Sequence, residues 1–245
     1  MDKNNIQIAH VTDRGGRPEN QDAQCVKTLA DNGHVAVVCD GLGGHVGGSV
    51  ASAMAVRLFI EGIQSVPQLD AAGLRALVEG INRDIRADQI STPAHADMRT
   101  TLVALAIRDN QALWCYVGDS RFYWFRDGRV QFQTVDHSIA QAMVSEESTQ
   151  QDVRHHPDRN RLARCLGNTD TLRVSVSSEP IQMQPGDAFL LCTDGFWEYV
   201  LEAEMLEDLS AAPDVQHWLD RMLVRHKTRV DGTHDNFTAV ALRVQ

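Results

Sequence analysis

The 245-residue chain lacks several features at once, and each absence removes a class of protein. Lys and Arg number 23 against 33 Asp and Glu, a net charge of −10, so no cationic surface is available to neutralise a phosphate backbone and nucleic acid is excluded as a partner. No apolar run reaches the roughly 18 residues that cross a bilayer, because Arg57 interrupts the best candidate, Val50 to Ile63; no membrane role is expected. The leading M-D-K-N-N-I-Q has no apolar segment of the secretory kind, so a cytoplasmic location is expected. The five cysteines (Cys25, Cys39, Cys115, Cys165, Cys192) are odd in number and form no C-x-x-C pair. They read as buried reduced thiols rather than a disulfide framework or a zinc site. No Pro- or Ser-rich linker, repeat or low-complexity tract divides the chain, so one domain over residues 1–245 is expected.

What the chain does have is a set of short, continuous apolar runs: Val35 to Cys39, Thr101 to Ile107, Ala112 to Val117, Ala188 to Cys192 and Phe237 to Val244. Continuous runs belong to strands covered on both faces. Turn chemistry is dense from Thr101 to Val135, with Arg108-Asp109-Asn110, Gly118-Asp119-Ser120 and Asp127-Gly128 joining successive runs. That stretch predicts a four-stranded antiparallel meander and excludes a purely parallel sheet. Helical spacing places one helix from about Gly48 to Ile63, a second on Leu74, Leu77, Val78, Ile81 and Ile85 that stops at Ser91-Thr92-Pro93, and a late one on Val215, Trp218, Leu219, Met222 and Leu223. The expected class is α+β, a four-layer αββα sandwich of two antiparallel sheets flanked by helix pairs.

Five aspartates stand where apolar runs break into turns. Asp40 ends V-V-C-D-G, Asp119 ends C-Y-V-G-D-S, Asp194 ends L-L-C-T-D-G, Asp235 opens D-N-F-T-A-V-A-L, and Asp22 precedes C-V in R-P-E-N-Q-D. Any one could simply start a turn, as Asp127-Gly128 does. Several unrelated runs ending this way imply that their ends converge on one pocket. Two carboxylates about 4 Å apart repel by roughly 4 kcal/mol at an effective dielectric of 20, so such a pocket needs bound cations. All-oxygen ligation selects hard ions, Mg²⁺ or Mn²⁺.

The ordered series R-P-E-N-Q-D, D-G-L-G-G-H, T-T-L-V, V-G-D-S-R, C-T-D-G and D-N-F-T-A-V, spread over residues 14 to 240, resembles the metal-dependent (type 2C) serine/threonine protein phosphatases, in their compact bacterial form. The resemblance implies hydrolysis of phosphoserine and phosphothreonine in proteins by a water that bound Mn²⁺ or Mg²⁺ makes nucleophilic, without a covalent phosphoenzyme. It further implies that Asp40 bridges two core ions and the Gly41 carbonyl ligates one. Asp194 and Asp235 would hold the other, with Asp22 binding directly or through water. Asp119 resembles the ligand of a weaker third ion, shared with Asp194, and Arg17 resembles the family's phosphate-binding arginine. Expected partners are phosphoproteins, a serine/threonine kinase and its substrates; the chain is expected to be a monomer.

Two positions depart from that pattern. Gln21 stands where many relatives carry Glu, and Leu42 where some carry a His that serves as general acid. His45, three residues on, is a turn histidine or a second candidate for that role. The basic segment Asp152 to Arg164 is either a flap beside the site or an ordinary solvated loop and helix. Gly41-Leu42-Gly43 makes no dinucleotide fingerprint, because Val46 occupies the third glycine position and Asp40 would repel a pyrophosphate. Ser49 makes no nucleophile elbow, lying nine residues beyond Asp40. The competing function is a phosphatase-like binding module without catalysis, which should have lost some of these carboxylates or the arginine.

Overall fold

Alternation along each strand explains how this chain covers both faces of two sheets. In Leu102–Arg108 (β6), Leu102, Ala104 and Ala106 pack toward helices, while Val103, Leu105 and Ile107 pack toward the other sheet. In Ala188–Cys192 (β12), Ala188, Leu190 and Cys192 face helices and Phe189 and Leu191 face the sheet opposite. Each fully buried side chain of this size contributes roughly 1.5–3 kcal/mol relative to exposure. The computed structural model describes residues 6–43, 47–66, 68–144, 150–169 and 171–245.

One sheet runs, in spatial order, Ile6–Asp13 (β1), Phe237–Val244 (β13), β12, Arg121–Arg126 (β8) and Arg129–Gln133 (β9). The other runs Ser175–Val176 (β10), Gln111–Val117 (β7), β6, His34–Cys39 (β3) and Ala23–Thr28 (β2), with Ile181–Gln182 (β11) also on β7. A small ribbon pairs Gly41–Leu42 (β4) with Arg99–Thr100 (β5). Gly47–Gly62 (α1) and Ala71–Ser91 (α2) cover the second sheet. Glu202–Ala211 (α6) and Val215–Arg229 (α7) cover the first. Ile139–Met143 (α3), Gln150–His155 (α4) and Asp194–Trp197 (α5) are short connectors. The four-layer αββα sandwich expected from the sequence is therefore observed. Asp70 caps α2 through the Gly73 N–H (2.7 Å) and Asp214 caps α7 through the His217 N–H (2.9 Å), fixing where both helices begin.

The predicted meander is wrong. β6 and β7 pair in one sheet and β8 and β9 in the other, so the chain changes layer at Gly118-Asp119-Ser120 instead of making a hairpin there. The Arg108-Asp109-Asn110 and Asp127-Gly128 turns are hairpins, with positive φ at Asp109, Asn110, Asp127 and Gly128. Gly118 also has positive φ (109°), but its turn is crowded against Thr101 and carries the chain across, where Phe122 stacks on Trp114 at 4.7 Å between the sheets. Strands buried on both faces look alike in sequence whichever sheet they join. β1 and α6 were not anticipated; α6 is short, packs Met205 into the core and pairs Glu204 and Asp208 with Arg225 of α7.

Candidate active site

Strand register brings the aspartates to one edge of the sandwich. Ala23 pairs with Cys39, Leu102 with Val117, Cys192 with Ala239 and Asp13 with Phe237, so the residues just beyond these pairs share that edge. A cleft of about 420 Å³ opens there, lined by Arg17, Asp40, Gly41, Asp119, Asp194 and Asp235 among others. Asp22 stands behind it: its Oδ2 accepts from Thr193 Oγ1 (3.0 Å), directly before Asp194.

The main chain around each aspartate is held by specific partners. Asp40 donates its N–H to Thr101 Oγ1 (2.9 Å), and its carbonyl accepts from the Thr101 N–H (2.9 Å) and Thr100 Oγ1 (2.8 Å). Thr101 Oγ1 shares a further hydrogen bond with Ser120 Oγ (2.7 Å), tying the Asp40 turn to the Asp119 turn. This is what the T-T of T-T-L-V does. Gly41 packs against the carbonyls of Gly48 and Gln21 so closely that a Cβ could not be accommodated. Asn236 accepts from the Gln21 N–H (2.8 Å) and donates to the carbonyls of Arg14 (2.8 Å) and Glu19 (2.9 Å), clamping the loop that carries Arg17 and Asp22. Trp197 Nε1 donates to the Asp119 carbonyl (2.9 Å) and His226 Nε2 to the Gly195 carbonyl (2.8 Å), beside Asp194.

Burial and mutual charge act together on these carboxyl groups. Burial lifts the Asp40 carboxyl well above the usual range, and the charges of Asp22, Asp194, Asp119 and Asp235 lift it further. Asp194 is raised likewise, by burial and then by Asp119, Glu198, Asp235 and Asp22. Burial pushes Asp22 up to about 7 against the opposing hydroxyl bonds of Thr238 and Thr193. Asp119 also rises to about 7, through burial and Asp136, opposed by its backbone hydrogen bond and Arg121. Asp22 Oδ1 and Asp194 Oδ1 are buried without a hydrogen-bond partner, a costly condition for ionised oxygens.

Among the described residues no three His, Cys, Asp or Glu side chains are already gathered tightly enough to hold an ion. Asp235 is engaged elsewhere: its Oδ2 is taken by Arg17 Nη2 (2.8 Å) and its Oδ1 accepts from the Asn236 N–H (2.8 Å). Arg17 and Asp235 are both about half exposed, so this pair is free to exchange partners. Gln21 Nε2 donates to Glu19 Oε1 (2.8 Å), a bond that a Glu at this position could not make. Leu42 lines the cleft, and His45 lies outside the described residues.

The basic segment lines the cleft through Asn160 and Leu162. Two of its arginines are paired: Arg154 is buried on Glu202 (2.9 Å), and the partly exposed Arg159 pairs with Glu198 (2.6 Å). Sequence reading missed Asn236, Thr101 and Thr193 as organisers, although each lies inside a quoted motif or next to its aspartate.

Comparison with known proteins agrees with this geometry. The family model described as Protein phosphatase 2C matches residues 14–235. Serine/threonine phosphatase stp of Listeria monocytogenes is 34% identical over 236 residues, covering 94% of this chain and 92% of that protein. The solved structure of the Mycobacterium tuberculosis serine/threonine phosphatase PstP/Ppp superposes with a TM-score of 0.83 at 30% identity, covering 98% of this chain and 99% of that one. The catalytic domain of serine threonine protein phosphatase PstP in complex with 2 manganese ions superposes with a TM-score of 0.80 at 29% identity, covering 98% of each chain.

Proposed function

The chain belongs to the protein phosphatase 2C family and is a protein serine/threonine phosphatase, and we propose that it hydrolyses its phosphoprotein substrates with divalent cations held where the five aspartates meet. The observation that carries this reading is the pair of buried, unpartnered carboxylate oxygens on Asp22 and Asp194 in the field of Asp40. Such oxygens are hard donors, and a divalent cation both satisfies them and cancels the repulsion that burial magnifies.

In this reading Asp40 would serve both core ions, the Gly41 carbonyl would help hold one, and Asp194 and Asp235 would help hold the other. Asp22 would support them directly or through a water, and Asp119 with Asp194 would hold a weaker third. Manganese is bound by the PstP catalytic domain, and Mn²⁺ or Mg²⁺ suits these donors. When bound, such ions supply an acidified water for attack and neutralise charge building on the phosphoryl oxygens. Asp235 would be among the residues holding a cation, which would leave Arg17, half exposed beside it, for the substrate. The guanidinium then presents its fork to two phosphate oxygens and keeps its charge at any working pH. The threonine-locked main chain of Asp40 and the Asn236 clamp keep carboxylates and arginine in register through turnover.

Direct attack by water, without a phosphoenzyme, is part of the same reading. Leu42 cannot protonate the departing serine or threonine oxygen. The serine/threonine kinase that makes these phosphoproteins is the proposed partner, and a monomeric cytoplasmic enzyme is part of the same proposal. Protein stripped with EDTA and assayed on a phosphothreonine peptide and on p-nitrophenyl phosphate should regain turnover with added Mn²⁺. A well-folded protein that stays inert with Mn²⁺ and Mg²⁺ would instead be a binding module.

A further inference from the structure

His137 is 7% exposed and lies in the loop after β9, outside the cleft, yet it grips the residue that precedes Asp119. Its Nδ1 accepts from the Gly118 N–H (3.2 Å), and its own main-chain N–H donates to the Gly118 carbonyl (2.9 Å). The ring stacks on Tyr116 at 4.9 Å, and Nε2 meets Ser175 Oγ at 2.9 Å. Because Nδ1 faces a donor it carries no proton, so Nε2–H donates to Ser175. On its other side the His137 carbonyl accepts from the N–H groups of Ala163 (2.8 Å) and Arg164 (3.2 Å). The neighbouring Ser138 bridges to Leu162, which lines the cleft with Asn160. One residue thus joins the segment that walls the cleft to the turn that presents Asp119.

We propose that His137 is a positioning residue for phosphate-ester hydrolysis, holding Gly118 from both sides so that the Asp119 carboxylate points into the cleft in register with the 160–162 wall. This rests on the cleft being the catalytic site. Gly118 has φ of 109° and no side chain to lock it, so without the imidazole bond only the main-chain bond from His137 and neighbouring contacts define its turn. Burial and the Arg164 cation hold the His137 imidazole down at about 4, which keeps Nδ1 available as an acceptor at neutral pH.

An amide at residue 137 separates the two ring nitrogens, since Asn places its oxygen near the Nδ1 position and Gln near Nε2. With Mn²⁺ and p-nitrophenyl phosphate, His137→Ala should lower kcat by about tenfold to a hundredfold, as for an ångström-scale misplacement, with KM within twofold. His137→Asn should recover most of the loss and His137→Gln should not. Adding His137→Ala to Asp119→Asn should cost little more than Asp119→Asn alone, because the histidine acts through that carboxylate. In the metal-free wild type, nitrogen-15 spectra should show an unprotonated Nδ1, and the Gly118 amide should exchange with solvent faster in His137→Ala. Normal kcat in His137→Ala, rescue by Gln rather than Asn, losses that multiply in the double variant, or a protonated Nδ1 would each overturn the proposal. Should the alanine variant not fold, the Asn and Gln pair decides alone. An inert wild type would count against the phosphatase reading instead.

Discussion

α5 carries members of two charge clusters that bury ions in opposite ways. At its last residue, Trp197 lies under the guanidinium of Arg121, 3.4 Å from the ring centroid, with that of Arg154 at 5.2 Å. Arg121 is fully buried, donates twice to Asp136 (2.9 and 2.7 Å) and reaches Tyr123 and Glu202; Arg154 closes on Glu202. Two cations there face two anions. At its first residue, Asp194 joins Asp22, Asp40, Asp119 and Asp235; among the described residues Arg17 pairs directly with Asp235, Arg121 and Arg159 act on Asp119 and Asp194 through charge alone, and two buried oxygens have no hydrogen-bond partner. The first cluster balances its charges, although Nε and Nη1 of Arg154 are buried there without a hydrogen-bond partner, and it holds the fold. The second gathers charge of one sign, an arrangement that the proposed cations would relieve.

The largest expected effect lies on the charge-balanced side. Asp136→Ala strands the Arg121 charge and should cost about 3–5 kcal/mol in a denaturant titration; an unchanged midpoint would show the cluster to be ornamental. On the other side, Asp40→Asn should lower kcat by at least about 10²–10³-fold, as when one preorganised electrostatic group is lost from a reaction centre. It should leave the metal-free fold as stable or more so, since a repelling carboxylate is gone. Near-normal turnover would remove Asp40 from the chemistry.

The same asymmetry sets a pH dependence. Asp22 and Asp119 bind protons up to about 7 in the native state but only to the ordinary carboxylate range near 3.8 when unfolded. Their contribution is therefore complete below the unfolded value and is lost as pH rises toward 7. A native state holding one extra proton loses about 1.4 kcal/mol per pH unit, or ~2.7 kcal/mol between pH 5 and 7. Metal-free protein should melt at lower temperature at pH 7.5 than at pH 5, and saturating Mn²⁺ should flatten or reverse that slope. A metal-free melting point that climbs over this range would contradict the unsatisfied cluster. Smallest is Arg17→Ala: KM for phosphopeptide should rise about tenfold, equivalent to ~1.4 kcal/mol, while stability changes by less than about 1 kcal/mol because the Asp235 pair is half exposed. An unchanged KM would take Arg17 away from the phosphate.

Asp40, Asp119, Asp194 and Asp235 could be picked out because each ends or opens an apolar run, and a strand terminus is a local pattern. The layer architecture was readable for the same reason, since runs such as Val35–Cys39 announce burial on both faces. The partners that aim those carboxylates were not: Asn236 reaches Gln21 across 215 positions and Thr193 reaches Asp22 across 171, distances at which a single sequence carries no register information. Gly118-Asp119-Ser120 misled as a hairpin because a layer crossing and a β-turn use the same residues. Arg154 looked solvated among its charged neighbours until α6 supplied Glu202.

Titration of Mn²⁺ into EDTA-treated protein, followed by calorimetry, addresses the shared edge most directly. Saturable binding in the wild type, abolished or sharply weakened in folded Asp40→Asn and undisturbed by an exposed substitution such as Arg83→Ala, is the expected result. Absence of binding to the folded wild type, or equal binding by Asp40→Asn, would contradict a cation site made by these converging carboxylates.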